Sequence, residues 1–299
     1  MLLITGATGY IGQHLVQRLV EQGQHPRCLV RTPAKAEPLI ADGRVEVVLG
    51  DTTRPETLAA AVQGIDTIVH AAFLTADRKE GPGNIYEAIN VQGTANLIHA
   101  AEEAGVTRLI EISGLGTRPA KVGSYMQGRY LAEKLLKESH LDWTIIRPSV
   151  LFGKDAPFIK GLTDLIHSSP VVPLIGGGKL LFQPIYVEDA VSVILKALAE
   201  PQHASHAIFT IGGPDYYTFT EIIDALLHTM HVKRLKLPAP NFLIGIGAAA
   251  MEAILPKPPL TKAAMVLFSF DNTTDLNSVE VQFGFTPLAF QRFLAEQGI

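Results

Sequence analysis

The chain has 299 residues, of which 47% are hydrophobic and 18% are charged, and its net charge is −4. This composition is typical of a globular protein that buries a sizeable core in one large domain or two closely packed ones. The small negative charge argues against nucleic acid as a partner, and the single cysteine, Cys28, excludes an internal disulfide framework and suits the cytoplasm.

The first half of the chain alternates short apolar runs with segments that carry apolar residues at helical spacing. In chain order, the predicted strands are LLIT, PRCLV, VEVVLG, DTIVHAA, RLIEIS and WTIIRPS. The predicted helices cover residues 10–23, a short segment from about Ala34, residues 55–64 and 84–104, and the stretch SYMQGRYLAEK. This alternation predicts an α/β protein with a doubly wound parallel sheet that helices cover on both faces.

Beyond Ser149 the alternation becomes irregular, because prolines and glycines divide the chain into shorter pieces. We therefore predict a first domain over residues 1–150 and a smaller C-terminal α/β lobe over 151–299, closely packed over the carboxyl ends of the strands. The longest apolar run, residues 242–251, is too short to span a bilayer. It predicts a buried or surface-docking helix, with peripheral contact to a membrane as the alternative. The first residues already form a predicted strand, so no signal peptide is expected.

A glycine-rich turn, TGATGYIG, joins the first predicted strand to the first helix. Its three glycines have the spacing of a phosphate-binding turn, which needs a tight turn, close approach of the backbone to a pyrophosphate, and close helix packing. The helix that follows offers free N–H groups to phosphates. The alternative is a tight turn without a ligand. The pattern favours dinucleotide binding by Gly6, Thr8, Gly9, Tyr10, Ile11 and Gly12.

The ends of the next strands predict the choice of cofactor. The second strand ends in Arg31, with Lys35 following, and two cations without a carboxylate favour the 2′-phosphate of NADP(H) over the free ribose of NAD(H). The alternative is that Arg31 is merely solvated, which leaves NAD(H) as the second candidate. Asp51 follows the third strand and suits either the adenine or a helix cap. The residues added to the predicted cofactor site are Arg31, Lys35, Asp51, Thr52, Ala71 and Ala72.

The stretch SYMQGRYLAEK contains two tyrosine–cation pairs. Tyr125 precedes Arg129 by four residues, and Tyr130 precedes Lys134 by four. Residues four apart lie on one face of a helix, so the spacing allows a proton-transfer device at either pair and equally allows two ordinary pairs in a packed helix.

Six motifs together resemble one known family: TGATGYIG, GDTTRPETL, INVQGTANLIHAA, YMQGR…AEKLL, LDWTIIRPSVLFG and FQPIYVEDAV. The chain resembles an extended or atypical short-chain dehydrogenase/reductase with a Rossmann fold. The branch most similar to it includes the NAD(P)H-binding accessory subunit of respiratory complex I and bacterial nucleoside-diphosphate-sugar epimerase-like proteins. YMQ followed by a basic residue is also similar to the photosystem II assembly factors of that branch.

The resemblance implies a catalytic role for the first tyrosine–cation pair, Tyr125 and Arg129. In active members of the family, the tyrosine gives or takes a proton at a substrate oxygen, and a lysine four residues later holds the nicotinamide ribose and stabilises the charged phenol. Arg129 replaces that lysine, which keeps the charge but adds bulk and a planar shape. Leu115 stands where catalytic members carry a serine, so Ser113 and Thr117 are the nearest hydroxyls.

The resemblance also adds residues to the cofactor site. Asn90 matches a family asparagine, although a polar helix residue bonded to backbone explains it equally. The backbone from Pro148 to Val150 matches the segment that meets the nicotinamide amide, although a strand that ends at a proline explains it as well.

Two hypotheses about function follow. One is a reductase or epimerase-like enzyme with Tyr125 as acid or base, acting on an unknown, partly apolar small molecule. Its pocket wall would include Phe152, Phe158, Ile159 and Phe182, which core packing explains equally. The other is a non-catalytic subunit or assembly factor that holds NADPH within a respiratory or photosynthetic complex. No metal site is predicted, because His70 lies in an apolar strand and suits a core position.

Overall fold

The computed structural model describes residues 1–40, 43–76, 85–240, 244–245 and 264–299. The apolar run 242–251, predicted as a helix, lies outside the described residues except for positions 244 and 245. Among the described residues, no helix is long and apolar enough to cross a membrane.

Strands and helices alternate through the first half of the chain. The strands are β1 (Leu2–Thr5), β2 (Arg27–Val30), β3 (Glu46–Leu49), β4 (Thr67–His70), β5 (Arg108–Ile112), β6 (Asp142–Pro148), β7 (Leu151–Phe152), β8 (Val171–Ile175), β9 (Leu181–Phe182), β10 (Ile185–Tyr186), β11 (Ala207–Ile211), β12 (Tyr217–Thr218) and β13 (Leu235–Ala239). The helices are α1 (Tyr10–Glu21), α2 (Pro33–Ile40), α3 (Ala59–Val62), α4 (Gly93–Glu103), α5 (Tyr125–Glu138), α6 (Pro157–Ser168), α7 (Val187–Ala199), α8 (Pro201–Ala204), α9 (Phe219–Thr229), α10 (Ser278–Phe283) and α11 (Phe290–Gln297).

The main sheet of the described residues has seven strands in the order β3-β2-β1-β4-β5-β6-β11. The chain begins in the middle of the sheet, builds outwards to β3, and then returns to build the other half from β4. The pairings from β3 to β6 are all parallel. The predicted doubly wound parallel sheet is therefore confirmed, and β11 adds an edge strand that the sequence did not predict.

The predicted strands correspond to β1–β6, whereas two predicted helices differ in detail. The helix expected over 55–64 divides into a 3-10 turn, Pro55–Thr57, and the short α3. The Thr57 hydroxyl donates to the carbonyl of Arg54 (2.7 Å) and accepts from the N–H of Asp51 (3.0 Å), and such local bonds compete with helical ones. Of the helix expected over 84–104, residue 84 lies outside the described residues, and residues 85–86 are helical. The π-helical turn Glu87–Gln92 follows and leads into α4.

One face of the sheet packs against α3, α4 and α5. Leu3, Ile68 and Leu109 are register partners on β1, β4 and β5, and all three are fully buried. They belong to one apolar cluster with residues of the covering helices and adjacent turns, namely Leu58, Ala61, Val62, Leu97, Ile98, Ala101 and Leu136. Burial of each large side chain contributes about 1.5–3 kcal/mol. Because side chains alternate along a strand, Glu111 points to the same face as Leu109.

The described residues form two compact units. The first comprises Met1–Leu74, Gly81–Arg147 and Val191–Phe209, and it contains β1–β5 and α1–α5. The second comprises Thr75–Glu80, Pro148–Ala190 and Thr210–Ile299. The division into separate domains at residue 150 stays a prediction.

Candidate functional site

The glycine-rich turn between β1 and α1 packs directly against neighbouring backbone. Gly6 has a φ of 75°, and a Cβ at this position would lie 2.5 Å from the carbonyl group of Ala71, which follows β4. A Cβ at Gly12 would overlap the carbonyl oxygen of Gly6. A side chain at Gly6 would meet the backbone after β4, and one at Gly12 would meet the turn itself, so both positions require glycine.

The N-terminus of α1 is suited to bind an anion. Its N-cap is Gly9, which has no side chain that could bond to the N–H groups of the first turn. That first turn, all of which the structure describes, contains no acidic residue. The N–H of Gly9 itself donates to the carbonyl of Gly6 (2.8 Å), and the carbonyl of Thr8 accepts from Gln13 Nε2 (3.2 Å). The start of α1, over Tyr10, Ile11 and Gly12, and the helix dipole there fit the pyrophosphate of a dinucleotide.

The predicted adenosine end of the site contains an ion pair. Arg31, at the end of β2, is 63% exposed, and its Nη1 lies 3.9 Å from Asp51 Oδ2. The other oxygen of Asp51 accepts from the N–H and the hydroxyl of Thr53, both at 2.9 Å, so the carboxylate is held in the turn after β3. Lys35 is exposed on α2. Arg31 therefore has an acidic partner, although a pair as exposed as this one is weak.

Three other residues of the predicted cofactor site form hydrogen bonds with backbone or side-chain amide groups. Ala71 N–H donates to the Thr5 carbonyl (3.1 Å), which carries the backbone of β4 onward beside Gly6. Thr52 is buried, and its carbonyl accepts from Asn96 Nδ2 (2.9 Å). Val150 N–H, expected near the nicotinamide, donates to Asn272 Oδ1 (3.0 Å). Pro148 is buried at the end of β6, and Ala72 is half-buried beside Gly6.

Asn90 fastens the loop after β4. It is fully buried in the π-helical turn, where its Oδ1 accepts from the N–H of Leu74 (2.8 Å) and its Nδ2 donates to the carbonyl of Leu74 (3.2 Å). Both functional groups of the amide are thus bonded to backbone, which gives Asn90 a structural role next to Phe73.

Tyr125 and Arg129 stack on one face of α5. The helix begins at Tyr125, because Ser124 is the N-cap and its hydroxyl accepts from the N–H of Gln127 (3.3 Å). The guanidinium carbon of Arg129 lies 5.2 Å from the ring centroid of Tyr125 and 5.0 Å from that of Phe73. Its Nη1 donates to the carbonyl of Ile112 (3.3 Å), and Arg129 as a whole is 5% exposed. The cation is therefore fixed between two aromatic rings.

In the second tyrosine–cation pair the cation is exposed on the same helix, whereas Tyr130 is half-buried, as Tyr125 is. Lys134 is 54% exposed, and it forms an ion pair with Glu138, one turn further along α5 (3.7 Å). Its contact resembles an ordinary solvated helix pair. The buried stack of Tyr125 and Arg129 thus differs in kind from the Tyr130–Lys134 pair.

Ser113 is bonded to a buried carboxylate. Its hydroxyl donates to Glu133 Oε1 (2.6 Å) and lies 3.2 Å from the hydroxyl of Thr117. Glu133 is fully buried on α5, and Arg147 on β6 binds both of its oxygens, at 2.8 and 2.5 Å. A bidentate pair of this kind orients both partners. The structure thus places Ser113 in an α5–β6 ion-pair network.

Sequence reasoning missed a row of buried polar residues across the sheet. His70 is fully buried, and its ring nitrogens lie 2.6 Å from the Thr5 hydroxyl and 3.1 Å from the Thr94 hydroxyl. Burial first, and then the charge of Arg129, lowers the pKa of His70 to about 3. Glu111 is its register partner on β5 and is also fully buried. The signal in the sequence was a glutamate inside the otherwise apolar run RLIEIS.

The four residues proposed for a pocket wall divide into two groups within the second unit. Phe152 and Ile159 line a cavity of about 460 Å³, whose rim also carries Lys160 and His167. Phe158 and Phe182 instead pack together, with ring centroids 5.6 Å apart. The first pair therefore borders open space, whereas the second belongs to an aromatic cluster.

Comparison with known proteins agrees with this geometry. Residues 6–165, which include the glycine-rich turn and the Tyr125–Arg129 stack, match a family described as NAD(P)H-binding. The chain belongs to this family. It is an NAD(P)H-binding protein, as its resemblance implied.

Three relatives indicate the range of the family. The chain is 31% identical to a ceramide reductase from Caulobacter vibrioides over 246 residues, which cover 81% of this chain and 75% of the relative. It is 32% identical to an NAD(P)H azoreductase from Xenophilus azovorans, over 76% and 72% of the two chains. It is 24% identical to the mitochondrial NADH dehydrogenase 1 alpha subcomplex subunit 9 of Arabidopsis thaliana, over 92% and 69%.

Solved structures confirm the fold. A nucleoside-diphosphate-sugar epimerase from Staphylococcus aureus matches with a TM-score of 0.78 at 20% identity, over 99% of both chains. A UDP-glucuronic acid 4-epimerase from Bacillus cereus, solved with its substrate and NAD, matches with a TM-score of 0.74 at 20% identity, over 97% of this chain and 95% of the other.

Proposed function

We propose that this protein is an NADPH-dependent reductase of a carbonyl group on a small, partly apolar molecule. The observation that carries the proposal is the stack of Arg129 on Tyr125. The buried Arg129 keeps its cation beside the phenol of Tyr125, which is only half-buried. Two relatives that are 31% and 32% identical to this chain are named as reductases, which supports the same class of reaction.

The chain's own residues have distinct tasks in this proposal. The glycine-rich turn and the N-terminus of α1 would hold the pyrophosphate, and Arg31 with Lys35 would bind the 2′-phosphate. NADPH, held by these residues, would provide the hydride needed to reduce a carbonyl group. The Tyr125 hydroxyl donates a proton to the carbonyl oxygen, and Arg129 stabilises the phenolate that remains until solvent returns the proton. For the reductase we propose a cytoplasmic location, which the single free thiol of Cys28 suits.

A second candidate is a subunit or assembly factor that holds NADPH within a larger protein complex without turnover. Two observations favour it. The Ser113 hydroxyl is bonded to Glu133, and one relative is named as a subunit of NADH dehydrogenase. In that case the bound dinucleotide would stabilise the first unit rather than react.

Turnover assays separate the two candidates. Purified protein is mixed with NADPH and a panel of apolar ketones, aldehydes, quinones and nucleotide sugars, and loss of NADPH absorbance is followed. We expect the native protein to oxidise NADPH with at least one carbonyl substrate. We expect Tyr125→Phe to lower kcat by about 10²-fold or more, the usual contribution of a general acid.

Tyr130→Phe is the matched control, because it removes the same hydroxyl from the other tyrosine of α5, and we expect its kcat to stay within about twofold of the native value. A fluorescence titration should give native affinity for NADPH in both variants. Tight NADPH binding without turnover by any of the three proteins would favour the cofactor-holding subunit. A native protein that binds neither NADPH nor NADH would contradict both candidates.

A further inference from the structure

Glu111 is a fully buried acid in the middle of the sheet. It is 0% exposed on β5, where its register partners are His70 on β4 and Ile145 on β6. Neither of its carboxyl oxygens has a hydrogen-bond partner among the described residues. An ionised carboxylate in this position would be strongly unfavourable, because nothing replaces the water that it loses. We therefore expect Glu111 to be buried either as the neutral, protonated acid or with a nearby cation that offsets its negative charge.

Arg129 is the cation placed to provide that compensation. Its Nη1 donates to the carbonyl of Ile112, the residue directly after Glu111, and it approaches from α5, towards which Glu111 points. Its Nε is buried and has no hydrogen-bond partner among the described residues. Among the described residues, Glu111 thus has an unpaired acceptor and Arg129 an unpaired donor, and the charge of Arg129 acts on the Glu111 carboxyl.

Two other titratable or charged groups around Glu111 already have hydrogen-bond partners. Arg147 is bound in bidentate fashion by Glu133, and both ring nitrogens of His70 contact hydroxyls. The titratable and charged groups that act on Glu111 from the packed elements are His70 of β4, Arg129, Glu133 and Lys137 of α5, and Arg147 of β6. Of these groups, Arg129 is both buried and left with an Nε that has no hydrogen-bond partner among the described residues.

The protonation of Glu111 responds to these surroundings near neutral pH. Burial, followed by the negative charge of Glu133, raises the pKa of Glu111 to about 8, although Arg129 and the other cations oppose the rise. Glu111 therefore carries a proton at pH 7 and loses it in mildly alkaline solution.

We propose that Glu111 is a positioning residue that controls how much positive charge Arg129 presents to Tyr125 and to the cofactor. Protonated Glu111 leaves the guanidinium against the two aromatic rings with its charge uncompensated. Ionised Glu111 offsets that charge through the electrostatic interaction between the two groups. The inference rests on the proposed function, because it assigns Arg129 to the cofactor and to Tyr125.

The test is NADPH affinity as a function of pH in the native protein, Glu111→Gln and Glu138→Gln. Glutamine has the shape of protonated glutamate and cannot ionise, so it fixes the low-pH state. At pH 6 we expect the native and Glu111→Gln proteins to bind NADPH equally. At pH 9.5 we expect the native protein to bind NADPH about tenfold more weakly than Glu111→Gln, which corresponds to about 1.4 kcal/mol of binding free energy. Glu138→Gln changes an exposed acid of α5 and should follow the native curve.

A second readout does not need the cofactor. Infrared difference spectra of protein with 13C-labelled glutamate should contain the band of a protonated buried carboxyl that disappears as the pH rises through about 8. The band should be absent from Glu111→Gln. Glu111→Leu is a second neutral variant that should reproduce the flat affinity profile if Glu111→Gln folds poorly.

The outcomes are distinguishable. Parallel affinity curves for native protein and both neutral variants, with tight NADPH binding, would overturn the inference and leave the proposed function standing. A native protein without a titrating carboxyl band would also overturn the inference. A protein that binds no NADPH at any pH would overturn the proposed function and, with it, the role assigned to Glu111.

Discussion

At the scale of the residue, the stack of Arg129 between Phe73 and Tyr125 is the feature that most constrains the chemistry. A guanidinium is planar and delocalised, so it can lie against two rings while Nη1 donates to the Ile112 carbonyl. An ammonium group would have a more compact charge and a larger cost of losing water. The replacement of the family's lysine by arginine is therefore consistent with the burial of this side chain.

A prediction at the same scale concerns the 2′-phosphate. Arg31→Ala should weaken NADPH binding about tenfold, since charge-assisted hydrogen bonds to a phosphate contribute about 1.5–3 kcal/mol. NADH lacks that phosphate, so its affinity should change little. Arg292→Ala, which removes the same charge from the exposed face of α11, serves as the control. Fluorescence titration with both dinucleotides measures the effect, and an equal loss for NADPH and NADH would contradict the assignment.

At the scale of the element, α5 connects the candidate site to the core. Its first turn carries Tyr125, its second turn carries Arg129, and its third carries Glu133, which Arg147 binds from β6. The same helix thus carries both the proposed acid and a fully buried carboxylate that is paired with Arg147. A loss of the ion pair would therefore affect both the stability of the unit and the geometry of the stack.

A stability measurement tests the role of this ion pair. Arg147→Met leaves Glu133 buried with Ser113 as its remaining side-chain partner, so we expect the free energy of unfolding to fall by about 3–5 kcal/mol. Lys134→Met breaks the exposed pair with Glu138 on the same helix and should cost less than about 1 kcal/mol. Urea unfolding compares the two variants. Equal losses would mean that the buried pair contributes no more than the surface pair.

At the scale of the whole molecule, two buried titratable groups make stability depend on pH in opposite directions. His70 has a pKa of about 3 in the folded protein against an ordinary value of 6.5, so its contribution is lost as pH falls through this range. Glu111 has a pKa of about 8 against an ordinary value of 4.5, so the unfolded chain releases a proton that the folded chain keeps. Its contribution is therefore present at low pH and lost as pH rises from about 4.5 to about 8.

Replacement of Glu111 isolates its part of this profile. Glu111→Gln should unfold at a higher urea concentration than the native protein above pH 8, by a free energy on the order of a few kcal/mol. The difference should shrink steadily as the pH is lowered towards 4.5, the ordinary value of the carboxyl. Urea midpoints at a series of pH values provide the measurement. A constant difference between the two proteins across this range would mean that Glu111 does not titrate in the folded state.

The sequence by itself determined the sheet, the glycine-rich turn and the class of cofactor. These depend on local patterns: apolar strands alternate with helical spacing, and Gly6 and Gly12 occupy positions where a Cβ would meet backbone. Short-range sterics and periodicity can be read from neighbouring residues, which is why β1–β6 were predictable. The divided helix at 55–64 was not, because side-chain bonds of Thr57 override the helical pattern.

Only the tertiary structure decided which of the two tyrosine–cation pairs has a buried cation and where the polar groups of the core point. Tyr125–Arg129 and Tyr130–Lys134 have the same spacing, but Arg129 meets Phe73 from the loop after β4 and a carbonyl of β5. Ser113 is bonded to Glu133 rather than left open, and Glu111 lies beside the strand of His70. Burial and pairing across strands join residues far apart in the chain, so the charge state of each depends on neighbours that only folding supplies.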